Sequence, residues 1–246
     1  MDNNKYKEIE KNYLNNLADL KNNLYKYLNQ INKVAGGFGG PSIYFHNRAL
    51  QEINNDFLGK THIEMIYAVL PSWGMHRMGD TSTKIVSFDK FLEQINNNQK
   101  KFTELRNKTI NETDIKDISN LLVHKLSFSK SKSHLVSSSK VLHHIIPNLI
   151  CPIDKQYSIR FLLQSKDQFI SKKNKKKYSN FAYNNNKEIN YSILFLTGMY
   201  DFIEKNESIL REYLDKEMNL YKNFNSNLTK IFDNLIILYV KKNGVR

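Results

Sequence analysis

The stretch "YKEIEKNYLNNLADLKNNLYKYLNQI", residues 6–31, decides the fold class of the chain. Its apolar residues recur at steps of three and four, the spacing that places them on one face of an α-helix. Such a stripe needs a partner surface. It can pair as a coiled coil, but a stretch of about four heptads with mixed aromatic residues more often packs on its own domain. The spacing predicts one long amphipathic helix with a buried face formed by Tyr6, Ile9, Tyr13, Leu17, Leu20, Leu24, Leu28 and Ile31.

The same helical spacing extends beyond residue 31 over most of the chain. Alternation of apolar and polar residues, which is typical of strands, is scarce, and only "TKIVSF", residues 83–88, looks extended. We therefore predict an all-α, or mainly α, compact multi-helix fold. Helices are predicted at residues 42–53, 61–70, 87–107, 113–126, 138–146, 154–163, 188–204, 206–221 and 225–240.

One helical domain is predicted for residues 1–246, a length that can bury a sizeable core without disulfides or metals. The glycine-rich stretch "AGGFGGP", residues 35–41, is interpreted as a hinge, because no GK[ST] follows it as in a phosphate-binding loop. The predicted parts are the amphipathic helix 1–34, an active-site core 35–165, a basic loop 166–187 and C-terminal helices 188–246.

The charge of the chain favours a polyanionic partner. Its 37 basic and 24 acidic side chains give a formal net charge of +13, and such an excess attracts nucleic acid through counterion release. A composition rich in lysine and asparagine also arises from a genome poor in G and C, so a merely basic surface is the alternative. Part of the charge is concentrated in one predicted loop by Lys172, Lys173, Lys175, Lys176 and Lys177.

Several classes of site are not indicated. Cys151 is the single cysteine, which excludes an internal disulfide and an iron–sulfur cluster, and its apolar neighbours favour an inert core thiol. His143 and His144 are adjacent, so on a helix they point about 100° apart and cannot chelate one metal ion together. We predict no metal and no cofactor. The polar N-terminus and the lack of a long apolar run predict a cytoplasmic protein without a membrane segment.

The stretch "LPSWGMHRMGD", residues 70–80, is predicted as a loop between two helices. In a structural interpretation, Trp73 packs in the core and the glycines end helices. In a functional interpretation, the indole or His76 fills the gap that an extruded base leaves, while Arg77 neutralises phosphate. The sequence leaves both interpretations open.

The stretch "SSSKVLHHIIPNLICPIDKQYSIRF", residues 137–161, combines apolar residues with histidines, a lysine and an aspartate. One of Ser137, Ser138 and Ser139 is predicted to cap a helix, and Asp154 is predicted to cap the next one. Because a helix start lowers the pKa of a carboxyl group, we expect Asp154 to be ionised and to point outward.

A fixed carboxylate in that place suits cleavage of an N-glycosidic bond. The sugar gains oxocarbenium character as the base departs, and an aspartate stabilises that cation and orients the attacking water. Lys140 lies fourteen residues before Asp154, on the preceding predicted helix. As a desolvated amine it would attack the sugar carbon and form a Schiff base, whereas as an ammonium group it would contact phosphate.

Three stretches together resemble a small family of bacterial phage-defence DNA glycosylases. They are "GPSIYFHNRALQE" at 40–52, "HIEMIYAVLPSWGMHRMGDTSTK" at 62–84 and "SSKVLHHIIPNLICPIDKQYSIRF" at 138–161, and together they span about half of the chain. Proteins of this family excise modified, glucosylated hydroxymethylcytosine bases. The resemblance implies the same class of activity, on double-stranded phage DNA and without a cofactor.

The element SKxLH…P…PxD is also similar to the helix-hairpin-helix oxoguanine glycosylases, whose catalysis uses a lysine or an aspartate. This similarity implies a helix-hairpin-helix-glycosylase-like fold and carries over two catalytic residues, Asp154 and Lys140. The sequence departs from that superfamily where "IPNLICPI", residues 146–153, replaces the LPGxG hairpin before the aspartate. The sequence therefore lacks the hairpin motif with which that superfamily binds the DNA backbone.

The leading hypothesis is a DNA glycosylase that extrudes a modified base, removes it and leaves an abasic site, without lyase activity. Glu64 is the alternative to Asp154 as the working carboxylate, because it shares a predicted helix with His62 and Tyr67. The predicted base pocket consists of Tyr44, His46, Glu64, Tyr67, Trp73, His76, His143 and His144. The predicted DNA contacts are Arg48, Arg77, Lys84, Lys155, Tyr157 and Arg160.

A second hypothesis is a non-catalytic nucleic-acid-binding module. Such a module would recognise modified DNA with the same basic surface and would recruit a partner through the amphipathic helix at 6–31. Asp154 would then be a helix cap alone. A nuclease is disfavoured, because no PD-(D/E)xK or HNH-like set of ligands is visible in the sequence.

Overall fold

The computed structural model describes residues 3–31, 40–75, 84–131, 133–170, 185–220 and 225–244. Across these ranges the regular structure is helical, and the β-pairing found there is a single bridge between Ile85 and Ser129. The predicted all-α class is confirmed. The bridge falls within the segment predicted as extended, where the N–H of Lys130 donates to the carbonyl of Lys84 at 2.8 Å.

Twelve α-helices are found in the described part of the chain. Turns of π-helix follow two of them, at Pro71–Met75 and Leu121–Lys125, and turns of 3-10 helix lie at Ile110–Glu112 and Lys166–Ile170. The helices are α1 (Asn3–Asn22), α2 (Leu24–Leu28), α3 (Pro41–Asn55), α4 (Lys60–Leu70), α5 (Phe88–Asn97), α6 (Gln99–Arg106), α7 (Ile115–Asn120), α8 (Leu135–His143), α9 (Ser158–Leu163), α10 (Asn185–Lys205), α11 (Glu207–Leu220) and α12 (Leu228–Asn243).

The N-terminal helix is interrupted once. The prediction of one continuous helix is corrected at Asn23, which separates α1 from α2. The side-chain amide of Asn23 donates to the carbonyl of Asp19 at 2.9 Å, a local bond that competes with helical continuation. Both helices pack within the chain, against α9, α10 and α12. The apolar stripe is accordingly buried at Ile9, Tyr13, Leu17, Leu20, Leu24, Leu28 and Ile31.

Helix α12 lies at the centre of the fold. Every side chain from Thr229 to Val240 is buried, as expected for a helix that is covered on all sides. Its neighbours are α2, α9, α10 and α11. This position carries two charged residues of its first two turns, Lys230 and Asp233, into the interior. None of the described helices, α12 included, is both long enough and apolar enough to cross a membrane.

Helix α8 begins earlier than the sequence predicts. It starts at Leu135, so the prediction that Ser137, Ser138 or Ser139 caps it is wrong. The hydroxyl groups of Ser137 and Ser139 instead donate to carbonyl groups three residues earlier, at 2.9 and 3.1 Å. Because the hydroxyl groups have hydrogen-bond partners within the helix, these serines can be buried. Helix α8 packs on α4 and carries Lys140.

Candidate active site

A cavity of about 490 Å³ opens beside α8 and α12. Its wall is formed by parts of both helices, by the turn 152–157, by residues 73–75 and by the serines Ser129, Ser131 and Ser133. Lys140 and Asp154 both line it. The structure thus brings together the two residues that the sequence singles out as catalytic.

Lys140 is almost entirely enclosed, with 8% of its surface exposed. Its Nζ donates to the carbonyl of Trp73 at 3.1 Å and lies 5.9 Å from the centre of the indole ring. Burial lowers the pKa of Lys140, while the carboxylates of Asp154 and Asp233 act in the opposite direction. The ammonium group is therefore fixed in place and poorly solvated.

Asp154 lies in a turn four residues before the first residue of α9. One carboxylate oxygen accepts the N–H of Tyr157 at 2.6 Å, and the N–H of Asp154 donates to the hydroxyl of Ser158 at 3.2 Å. These bonds close the turn that leads into the helix. The capping role is thus exercised on the turn and not on the helix itself.

The expected low pKa of Asp154 is wrong. Burial raises the pKa of Asp154 and the negative charge of Asp233 raises it further, to about 6, against the opposing N–H groups of Tyr157 and Gln156. Loss of water around the carboxylate therefore outweighs the amide hydrogen bonds. A carboxyl group of this kind changes its charge just below neutral pH, which is common at functional sites.

Lys230 and Asp233 form a buried ion pair that the sequence did not reveal. The Nζ of Lys230 lies 2.5 Å from a carboxylate oxygen of Asp233, and each side chain is 3% exposed. Both residues line the cavity. A signal was present in "LTKIFDNLIILYV", residues 228–240, because two charges three residues apart interrupt a helix that is otherwise apolar.

Four serines form a hydroxyl-bearing wall of the same cavity. The hydroxyl oxygens of Ser137 and Ser129 are 3.1 Å apart, and those of Ser129 and Ser131 are 2.8 Å apart. The fourth serine, Ser133, accepts from Ser131 through its carbonyl at 2.5 Å. The alternation in "SFSKSKS", residues 127–133, signals that serines share one face of an extended segment. The sequence interpretation overlooked it.

Trp73 lies against two cavity lysines. The Nζ of Lys230 is 5.2 Å from its ring centre, slightly closer than that of Lys140. The indole N–H donates to the carbonyl of Ser42 at 3.3 Å, which fixes the ring to α3. Gly74 follows at φ +80°, a conformation that glycine adopts without strain. Trp73 is therefore both partly buried structure and part of the cavity wall.

The predicted pocket histidines do not line this cavity. His46, His143 and His144 are buried, and their rings pack against one another with centres 5.1–5.7 Å apart. Their placement is a correction to the predicted base pocket, since side chains enclosed in this way contact the core and not a ligand. His62 lies beside them, also fully buried.

Hydrogen bonds assign the proton positions of the histidine cluster. The Nδ1 of His144 lies 2.7 Å from the carbonyl of Lys140, which can only accept, so Nδ1 carries the proton. The Nε2 of His144 then accepts from the Nδ1 of His46 at 2.9 Å. In turn, the Nε2 of His46 accepts from the hydroxyl of Ser226 at 3.3 Å. Burial lowers the pKa of His144 to about 3 and that of His46 well below its usual value. Both rings are therefore neutral at physiological pH.

The other predicted pocket residues are dispersed. Tyr44 is 60% exposed on α3. On α4, the phenol of Tyr67 donates to the carbonyl of Val86 at 2.8 Å, and Glu64 lies 4.0 Å from Lys60 at the surface. None of these three side chains belongs to the cavity wall. His76, which completes the predicted pocket, lies outside the described residues.

The predicted DNA contacts divide into two groups. Lys84, Lys155 and Tyr157 line the cavity. Arg48 instead pairs with Glu52 at 2.7 Å, and Arg160 donates to the carbonyl of Phe169 at 2.9 Å. Arg77 and the lysines between residues 172 and 177 lie outside the described residues.

Metal ligands are not gathered anywhere in the described part of the chain, where no three His, Cys, Asp or Glu side chains are grouped suitably. Cys151 is buried, and burial raises the pKa of its thiol well above the usual value. A thiol in that state is a weak nucleophile. The reactive groups available in the cavity are accordingly amines, carboxylates and hydroxyls.

Comparison with protein-family models, curated proteins and solved structures finds no match to this chain. The assignment of a function therefore rests on the chemistry of the cavity.

Proposed function

We propose that the protein is a DNA glycosylase that removes a modified base from phage DNA and leaves an abasic site. The observation that carries the proposal is that Asp154 and Lys140 face one cavity of about 490 Å³. Small-molecule sites typically measure about 300–1,000 Å³. The cavity thus has room for one nucleotide extruded from the duplex, as base-excising enzymes require.

Asp154 acts on the sugar. As the N-glycosidic bond breaks, its electron pair leaves with the base, and the carboxylate stabilises the positive charge that develops on the sugar. The same carboxylate orients a water molecule whose oxygen bonds to the sugar carbon, and it accepts the proton that this water releases. With a pKa of about 6, Asp154 is mostly ionised at neutral pH and can perform both tasks.

Lys140 acts on the departing base. Its ammonium group is held by the Trp73 carbonyl and can donate a hydrogen bond or a proton to the base as negative charge develops there. The carboxylates of Asp154 and Asp233 favour the charged form of Lys140. In this role the enzyme is monofunctional, because an ammonium group cannot attack the sugar carbon.

Charge and position support DNA as the partner. Lys84 and Lys155 line the cavity and can neutralise the phosphates on either side of an extruded nucleotide. The formal net charge of +13 acts over longer distances and favours association with the duplex. The order of the two catalytic residues, Lys140 on a helix and Asp154 in the turn before the next, supports a likeness to helix-hairpin-helix glycosylases.

The alternative is a binding module without catalysis, and the surface that it would use for a partner is not accessible. That hypothesis assigned recruitment to the apolar stripe of residues 6–31, which is buried against α9, α10 and α12. A binder would also gain nothing from two carboxylates enclosed in one cavity, since both repel a nucleic acid. The catalytic proposal accounts for them.

The experiment that tests the proposal uses the pure protein and duplex DNA from phages with plain and with modified cytosine. We expect free modified base in the mass spectrum and alkali-labile sites in the modified DNA alone. DNA that is bound but releases no base would support the binding module. Release from plain DNA at an equal rate would refute the preference for a modified base.

A further inference from the structure

Two carboxylates share the cavity, but different groups hold them. Asp233 is bonded to the ammonium group of Lys230 at 2.5 Å, whereas Asp154 accepts the backbone N–H of Tyr157 at 2.6 Å. An ammonium group in direct contact favours an ionised carboxylate more strongly than an amide does. When one proton enters the cavity, the geometry therefore directs it to Asp154.

A purely structural reason for the Lys230–Asp233 pair is weak. Both side chains are 3% exposed, and removing two charges from water costs more free energy than an apolar pair of similar volume would. The rest of α12 between Ile231 and Val240 is largely apolar and fully buried. Buried ion pairs can often be replaced by apolar residues of similar volume without loss of stability, so packing alone does not account for these two charges.

We infer that Lys230 and Asp233 are a positioning pair for the reaction proposed above, in which Asp233 supplies a fixed negative charge that governs the protonation of Asp154 and Lys230 anchors that charge. The inference rests on the proposed function for its catalytic meaning. It assigns no contact between this pair and the substrate. Asp233 acts through Asp154, and Lys230 acts through Asp233.

Other charged and titratable groups surround Asp154. Lys140 faces it from α8, and Lys84 lines the same cavity from the bridge segment. Lys155 and Tyr157 belong to its own turn, and the buried thiol of Cys151 precedes that turn. The lysines favour the ionised carboxylate of Asp154, so they oppose Asp233. Among these groups Asp233 is the negative charge that raises the pKa of Asp154, second only to burial.

The test is the titration of the Asp154 carboxyl carbon by NMR in three proteins: wild type, Asp233→Asn and Lys230→Gln. Asp233→Asn removes a like charge, so we expect the pKa of Asp154 to fall by about one unit. Lys230→Gln leaves the buried Asp233 without the counter-ion that keeps it ionised, so Asp233 should take up a proton more readily and the pKa of Asp154 should fall as well. The carboxyl carbon of Asp233, followed in the same spectra, should then titrate at a higher pH than in the wild type, whereas a general loss of packing would admit water and lower the pKa of Asp233. An unchanged pKa of Asp154 in Asp233→Asn, or a pKa of Asp233 that does not rise in Lys230→Gln, would overturn the inference.

A double variant guards against unfolding of the single ones. Lys230→Met with Asp233→Leu keeps the volume and removes both charges, a replacement that buried ion pairs often tolerate. Because Asp233 raises the pKa of Asp154 and its charge is absent in this protein, we expect the pKa of Asp154 to fall below the wild-type value, as in Asp233→Asn. A pKa equal to that of the wild type would contradict the proposed role of Asp233.

The same three proteins connect the titration with catalysis. The pH below which base release declines should move with the pKa of Asp154, downward in both Asp233→Asn and Lys230→Gln. If the wild type releases no base at any pH, the proposed function fails while the titration still decides the electrostatic role of the pair. If base is released but its pH profile is identical in all variants, the positioning role fails and the glycosylase proposal survives.

Discussion

At the scale of single residues, burial decides the chemistry of the cavity. Asp154 is held by backbone amides, yet its pKa rises to about 6 because it is shielded from water and lies near Asp233. Burial lowers the pKa of Lys140, so its ammonium form is less stable than in water. Groups whose charge is costly in the folded protein are candidates for chemistry and not for stability.

Asp154→Asn should stabilise the protein at neutral pH. The folded-state pKa of Asp154 lies above its ordinary value of 3.8, so its contribution to stability is present below about pH 4 and is lost as the pH rises through about 6. Asparagine keeps the oxygen that accepts the N–H of Tyr157. We expect a gain of about 2 kcal/mol in the free energy of unfolding at pH 7.5, and a smaller gain at pH 5, by urea denaturation. A loss of stability at pH 7.5 would mean that Asp154 is a structural residue.

Borohydride trapping tests the charge state of Lys140. Because the lysine acts as an ammonium group, we expect no covalent complex between wild-type protein and modified DNA after reduction. Lys140→Met should lower the rate of base release by about 100-fold, and Lys140→Arg should retain part of it through its positive charge. A trapped complex that disappears in Lys140→Met would instead establish a Schiff base and lyase activity.

At the scale of the elements, features set by the local sequence pattern were predicted better than features set by long-range packing. The all-α class followed from the spacing of apolar residues. Lys140 and Asp154 lie close together because only fourteen residues, which form a helix and a turn, separate them along the chain. The ion pair on α12 lies some 90 residues beyond Lys140 and reaches the cavity only through helix packing, which no periodicity encodes. The pKa of Asp154 was misjudged for the same reason, since a helix start is visible in sequence and burial is not.

The contact between α1 and α10 depends on Gly198. A Cβ atom there would lie 2.4 Å from Cε1 of Tyr13, whose phenol is fixed by a hydrogen bond to the carbonyl of Phe195 at 2.8 Å. Alanine favours helix over glycine, but overpacking of this size outweighs that gain. We expect Gly198→Ala to lower the free energy of unfolding by about 2 kcal/mol in urea denaturation.

The matched control is Thr197→Ala, one residue earlier on α10. Thr197 is exposed, so its replacement should change the free energy of unfolding by no more than about 0.5 kcal/mol. Equal stability of the two variants would show that Tyr13 does not pack on Gly198 as described.

At the scale of the whole molecule, one apolar cluster connects the N-terminal helix with α12, from Ile9 to Val240. The buried histidines are enclosed by this core and not by the cavity wall. In the sequence, His143 and His144 stand beside apolar residues, a pattern that favours a core position. They also stand close to Lys140, which suggested that they line a pocket. The structure separates the two groups: the histidines are packed in the core, and Lys140 and Asp154 face the cavity.

The histidine cluster should make the protein sensitive to acid. Burial lowers the pKa of His46, His62, His143 and His144 in the folded protein. Their contribution to stability is therefore present above about pH 6.5 and is lost as the pH falls below it, because the unfolded chain takes up the protons first. Each histidine contributes a loss of about 1.4 kcal/mol per pH unit while its folded form stays neutral. Urea denaturation at pH 7.5 and 5.5 should show a decrease of several kcal/mol, and equal stability at the two values would contradict neutral, buried rings.

The rate of base release by Asp154→Asn and Glu64→Gln, measured side by side with wild type on modified duplex DNA, tests the central claim most directly. The cavity account predicts a loss of at least about 100-fold for Asp154→Asn with DNA affinity retained, and a rate close to wild type for Glu64→Gln, whose side chain is not part of the cavity wall. Unchanged release by Asp154→Asn, or loss in Glu64→Gln alone, would contradict the assignment of the reaction to this cavity.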